Sequence, residues 1–137
     1  MLLYRGTFSG TESGSATING SVTISGNLVS TNLTIVTGGV LTANNLVLNG
    51  TMNFTGGTIA GMGLTIASNA VLNWSGGTIA GTGLTIASGA VLNINGSATK
   101  TLGNNSSTTT TLTNGGTINF AGSGALNLCN YSGTEAW

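Results

Sequence analysis

The sequence predicts an all-β chain folded as a single-stranded parallel β-helix, a β-solenoid with about 20 residues and three short strands per coil. Three observations lead to this fold class: an internal repeat, apolar residues that alternate with polar ones, and 24 glycines without a single proline. The segments 53–72 and 73–92 are identical at 16 of 20 positions. Such a repeat unit cannot bury its apolar face alone, so the units must stack on one another.

One repeat unit contains three strand patterns separated by tight corners. Apolar and polar residues alternate with period two, which is typical of strands, near Thr58-Ile59, in Leu64–Ile66 and in Val71–Trp74. Gly56-Gly57 and Ser68-Asn69 lie between these segments and suit turns that need positive φ. The glycine density and the β-branched residues argue against helices.

Stacking of 20-residue coils predicts columns in which residue i lies above residue i+20. The predicted interior columns are Phe54, Trp74 and Ile94; Leu72 and Leu92; Leu64 and Leu84; Ile66 and Ile86; and Ile59 and Ile79. The predicted outward columns are polar: Thr58 and Thr78; Thr65 and Thr85; and Asn53, Asn73 and Asn93. The same alternation that buries one set of side chains thus exposes the other.

We interpret residues 1–137 as one solenoid domain, because no linker divides the chain. Its predicted segments are an N-terminal cap or arm (1–16), regular coils (17–94), an irregular coil or surface excursion that carries Lys100 (95–110), last coils (111–128) and a C-terminal tail (129–137). The strand patterns before residue 53 recur at a spacing nearer 18 or 19 residues than 20. These N-terminal coils are therefore expected to have shorter corners.

The charge content excludes several classes of partner. Arg5, Glu12, Lys100 and Glu135 are the four charged residues, or 3% of the chain, against about 25% in ordinary soluble domains. No basic patch exists, so we expect no nucleic-acid partner. No long apolar segment free of polar residues occurs, so we expect no membrane insertion.

The sequence also lacks the groups that most enzymes and metal sites use. It has no histidine and no aspartate, and its two carboxylates, Glu12 and Glu135, lie near opposite ends of the chain. A proton relay, a carboxylate pair within one subunit and an acidic calcium site are therefore excluded. We expect no catalytic residue, no metal ligand and no cofactor, and hence no enzyme.

Two phrases of the sequence, NWSGGTIAGTGLTIASGAVLNI and LTNGGTINFAG, resemble the low-charge β-helix repeats of large secreted bacterial surface proteins. These proteins include filamentous-haemagglutinin-like adhesins and the passenger regions of autotransporters. The resemblance covers about residues 45–128. It implies a right-handed solenoid that forms a stalk at the cell surface or outside the cell, and it leaves cell-surface or carbohydrate ligands open as partners.

The function that we expect is structural: an extracellular solenoid that self-associates head to tail as a subunit of a filament or surface fibre. An open coil end exposes backbone groups, and this chain has little charge and no proline to protect them. The expected subunit contacts are Met1, Leu2, Leu3, Tyr4, Leu128, Tyr131 and Trp137. Two alternatives stay open: a stalk fragment of a secreted adhesin, and an ice-binding or other flat-face binding module.

Overall fold

A computed structural model describes residues 6–8, 12–18, 20–35, 38–81, 83–103 and 110–128. Regular structure in these ranges consists of strands only. The strands are β1 (Gly6–Phe8), β2 (Glu12–Ile18), β3 (Ser21–Ile35), β4 (Val40–Phe54), β5 (Thr58–Gly61), β6 (Leu64–Ile66), β7 (Val71–Trp74), β8 (Gly77–Ile79), β9 (Gly83–Ile86), β10 (Val91–Ile94), β11 (Lys100–Leu102), β12 (Thr111–Asn114), β13 (Thr117–Phe120) and β14 (Leu126–Leu128).

Every strand pairing in this part of the chain is parallel, and the pairings form three stacks. The first stack contains β1, the start of β3, the start of β4, β5, β8, β11 and β14. The second contains the start of β2, the middle of β3 and β4, then β6, β9 and β12. The third contains the ends of β2, β3 and β4, then β7, β10 and β13. The predicted β-solenoid of stacked parallel coils is confirmed; its right-handed coiling stays a prediction.

The register between coils changes along the solenoid. In the central repeat Leu72 pairs with Leu92, so the partners are 20 positions apart. The N-terminal coils are shorter, since Leu46 pairs with Leu64, 18 positions away. The C-terminal coils are longer, since Leu92 pairs with Ile118, 26 positions away. The strands stay stacked throughout, so the corners absorb the differences in length.

Two coils differ from the expected three short strands, because β3 and β4 each run continuously for 15 residues. Their corners explain the difference. Between Leu48 and Thr51 the chain passes a corner of two residues, Asn49-Gly50, without leaving β4. The equivalent corner one coil later is the four-residue turn Ala67–Ala70, which separates β6 from β7. The two additional residues interrupt the strand.

Of the two alternatives expected for residues 95–110, an irregular coil or a surface excursion that carries Lys100, the surface excursion is wrong for Lys100. Lys100 begins β11, is 0% exposed, and lies in register between Gly77 and Leu126 in the first stack. The aliphatic stem of a lysine can pack among apolar side chains while its ammonium group reaches polar partners. The ammonium Nζ donates to the backbone oxygens of Ala98 at 2.7 Å and Gly96 at 3.4 Å. Backbone carbonyls therefore take the place of a carboxylate partner.

Strands also occur in the segment expected to be an N-terminal cap or arm. Gly6–Phe8 pairs with Val22–Ile24, and Glu12–Ile18 pairs along β3, so both belong to the stacked sheet. The expected contact residues Met1, Leu2, Leu3, Tyr4, Tyr131 and Trp137 lie outside the described residues.

Candidate functional site

The predicted interior columns lie inside the solenoid. Their eleven side chains are all 4% exposed or less: Phe54, Ile59, Leu64, Ile66, Leu72, Trp74, Ile79, Leu84, Ile86, Leu92 and Ile94. The rings of Phe54 and Trp74 stack with centroids 6.3 Å apart and planes 15° from parallel. The indole Nε1 of Trp74 donates to the backbone oxygen of Gly76 at 3.1 Å, which satisfies its polar group.

The predicted asparagine column is a hydrogen-bonded ladder on the outside of the third stack. Asn73 Nδ2 donates to Asn53 Oδ1 at 3.0 Å, and Asn93 Nδ2 donates to Asn73 Oδ1 at 2.9 Å. A further rung, Asn119, donates from Nδ2 to Asn93 Oδ1 at 2.9 Å. Asn119 lies 26 rather than 20 residues after Asn93, so the fixed period missed it. The repeated pattern apolar–Asn–apolar in Leu92–Ile94 and Ile118–Phe120 is the signal that identifies it.

The threonine columns are short. Thr65, Thr85 and Thr113 lie in register on the second stack, and the column continues toward the N-terminus as Val47. Thr58, Thr78 and Thr101 lie in register on the first stack. Among the described strands of the second stack, β12 alone has threonines at both outward positions that flank its central leucine, Thr111 and Thr113, whereas β6 and β9 each have one outward threonine.

The interior columns end uncovered at the last described coil, residues 110–128. Leu112 continues the Leu64 and Leu84 column and is 39% exposed, while Phe120 continues the Trp74 and Ile94 column and is 66% exposed. Three further apolar side chains of this coil pack on the core but are only partly buried: Ile118, Leu126 and Leu128. We call this surface the open coil end, defined by Leu112, Ile118, Phe120, Leu126 and Leu128.

The strands of the open coil end each pair with a described strand on one side only. Strands β12, β13 and β14 pair with β9, β10 and β11 respectively, and each has no second partner among the described strands. The opposite end of the solenoid differs in its side chains, since Ile18 in the first described coil of the third stack is only 1% exposed. Ile18 in the first described coil is thus buried, whereas Phe120 in the same stack of the last described coil is exposed.

No group of three or more histidine, cysteine, aspartate or glutamate side chains in the described ranges is close enough to hold a metal ion. No helix in these ranges has the length and apolar character that crossing a bilayer requires.

Comparison of the chain with protein-family models, with curated proteins and with solved structures found no match. The site must therefore be judged on its own geometry. Of the expected contact residues, Leu128 lies in the open coil end. Leu112, Phe120 and Asn119 were not in the predicted columns, which ended at Ile94 because the 20-residue period is lost there.

Proposed function

We propose that this protein is a structural solenoid that self-associates end to end, as a subunit of a head-to-tail filament or surface fibre outside the cell. The observation that supports the proposal is the open coil end, where columns that are buried from Leu46 to Leu84 and from Phe54 to Ile94 become exposed. Strands β12 and β13 pair in parallel with β9 and β10 on one side. Their other edges could pair with a further coil in the same parallel arrangement. In the proposed joint, the N-terminal segment of a second copy, including Met1–Tyr4, lies on this end.

Physical chemistry favours a coil as the occupant over a small ligand. The open coil end combines backbone N–H and C=O groups that pair with no further described strand with adjacent apolar side chains, which is the surface that strand addition uses. A heterologous contact between different ends does not close, so it generates a fibre. Burial of an exposed Phe120 side chain alone contributes about 1.5–3 kcal/mol, before the entropy cost of association.

The stalk of a secreted adhesin is the second candidate, and the same observation favours it. A further coil of a longer polypeptide would cover Leu112 and Phe120 in the same way as a second copy. The resemblance to adhesin and autotransporter repeats supports this alternative, as it supports location at the cell surface. The short threonine columns do not support the third alternative, an ice-binding or other flat-face binding module, which stays a prediction.

The assembly state of the purified chain tests the proposal. We expect electron microscopy and sedimentation to show filaments, and we expect Phe120→Ser to raise the protein concentration at which they form by roughly tenfold or more, because one large apolar contact per joint is lost. Deletion of residues 1–4 is expected to shorten the filaments and to preserve the β-sheet circular dichroism.

Met62→Ser is the matched control, because Met62 is also 66% exposed but lies at a corner in the middle of the solenoid. We expect this variant to assemble like the unmodified chain. A chain that stays monomeric at all accessible concentrations, or equal effects of Phe120→Ser and Met62→Ser, would contradict end-to-end association.

A further inference from the structure

The C-terminal tail, residues 129–137, begins at the open coil end. Leu128, which precedes it, ends β14 and packs on the core as part of that surface. The tail itself lies outside the described residues, and its sequence contains Tyr131, Ala136 and Trp137. Two aromatic side chains are thus joined by a short connection to the apolar surface that the last described coil leaves uncovered.

The inner coils show how far the tail can reach. Leu84 of β9 follows Ile79 of β8 after five positions, and Val91 of β10 follows it after twelve. Leu128 continues the Ile79 column, and Leu112 continues the Leu84 column. Along the same path the tail passes over β12 within its first residues, whereas β13 lies beyond its nine residues.

Tethering favours the tail over a second copy as the occupant of the edge of β12. A short connection holds a segment at an effective concentration on the order of 1 mM. A second copy at about 1 µM is present at roughly a thousandth of that concentration, so it must bind about a thousandfold more tightly to displace the tail. A further coil would pair with β12, β13 and β14, whereas the tail covers β12 alone. The second copy therefore has additional contacts with which to displace it.

We propose that residues 129–137 are an autoinhibitory cap, which lies over the edge of β12 and shields Leu112 with Tyr131 and Trp137. The inference rests on the proposed function, because the cap must leave β12 before a further coil pairs there. Strand β13 and its exposed Phe120 stay accessible beside the cap, so a second copy binds first at the third stack and then displaces the tail. The cap thereby raises the protein concentration at which end-to-end association begins.

Tryptophan fluorescence of the full chain tests the contact in the single molecule, at protein concentrations below the onset of assembly. Trp74 is 1% exposed, so acrylamide quenches mainly Trp137, the second of the two tryptophans. The variant Trp137→Ser supplies the residual signal of Trp74. We expect Leu112→Ser to increase the quenching of Trp137 by roughly twofold or more, because the capped state is then less populated. Met62→Ser should leave it unchanged, since Met62 is exposed far from this end.

Assembly tests the regulatory effect of the cap. If the cap is closed in about 80–90% of chains, its loss raises the competent fraction roughly fivefold to tenfold. We therefore expect Trp137→Ser, and deletion of residues 129–137, to lower the protein concentration at which filaments form by roughly fivefold to tenfold. Glu135→Gln is the matched control, because it changes the tail without removing a large apolar side chain, and it should leave this concentration unchanged.

Either of two results would overturn the cap. A higher or unchanged onset of assembly in Trp137→Ser would assign Trp137 to the joint between copies or to no contact, and equal quenching in Leu112→Ser and the unmodified chain would exclude the contact with β12. Circular dichroism of Leu112→Ser controls for loss of the fold. A chain that never assembles, but in which Leu112 protects Trp137, would remove the filament proposal and support the cap. Filaments formed by a chain whose Trp137 is freely quenched would do the reverse.

Discussion

Asn69 is the one described residue other than glycine with a positive φ, at 65°, and it shows how a single position is constrained by a corner. It is the third residue of the turn Ala67–Ala70, which a hydrogen bond of 3.0 Å closes from Ala70 N to Ala67 O. One coil later Gly89 has the equivalent position with φ 78° and the same 3.0 Å bond between Ala90 and Ala87. Asparagine and glycine tolerate this conformation better than other residues.

Substitution of Gly89 tests this constraint. A Cβ at Gly89 would have its nearest neighbour at 3.7 Å, so space is available and the cost is conformational. We expect Gly89→Ala to lower the free energy of unfolding by about 1 kcal/mol and Gly89→Asn by less than half of that. Urea denaturation measures both variants. An alanine variant as stable as the asparagine variant would show that the left-handed conformation is not what restricts this corner.

The burial of Lys100 was not predicted from the sequence. Its charge and its position in the polar segment 95–110 indicated a surface, whereas the structure places it in the core. The decisive information is its alignment with Gly77, 23 positions earlier, which places it in the first stack. A fixed period of 20 cannot reveal this alignment, so the burial of Lys100 could not be predicted, although that of Leu72 or Ile86 could.

At the scale of the strand, the close approach of successive coils makes some glycines irreplaceable for steric reasons. A Cβ on Gly116, between β12 and β13, would lie 2.4 Å from the backbone oxygen of Ala90 and 2.6 Å from that of Ala87. Both neighbours are backbone atoms of the coil below, so neither can move aside independently. Gly83, at the start of β9, would place a Cβ no closer than 3.5 Å to Thr111 O.

Alanine at these two positions should therefore behave differently. We expect Gly116→Ala to destabilise the chain by about 1–3 kcal/mol through overpacking, and Gly83→Ala to be neutral or slightly stabilising through the lower entropy of its unfolded chain. Thermal denaturation followed by circular dichroism compares them. Similar melting temperatures for the two variants would mean that the coils can separate locally at low cost.

The strands were more predictable than the corners. Alternation identified Leu64–Ile66 and Val71–Trp74 with the bounds that the structure has, because burial of every second residue leaves a direct mark on the sequence. No sequence pattern predicts the length of a corner. The equivalent corners Asn49-Gly50 and Ala67–Ala70 have two and four residues respectively. The pairing of strands outside residues 53–92 therefore could not be predicted from the sequence.

At the scale of the whole molecule, the near absence of charge sets the expected response to salt. With two cationic and two anionic side chains, the chain has few charges that ions can screen. We expect the concentration at which filaments form to change by less than about twofold between about 0.05 and 0.5 M NaCl. Light scattering across this range provides the measurement, and dissolution of the filaments by salt would assign the joint to ionic contacts in place of backbone pairing and apolar contact.

The unequal ends of the solenoid, with Ile18 1% exposed at one and Phe120 66% exposed at the other, have a kinetic consequence. A head-to-tail fibre of this chain has a direction, and the two tips collide with incoming subunits through different surfaces, so they elongate at different rates. The bond that forms is the same at either tip of the proposed fibre, so both tips should stop growing at the same subunit concentration when no external energy source drives addition. Marked seeds should therefore lengthen asymmetrically in excess protein, and on dilution both of their tips should begin to shorten at one shared threshold.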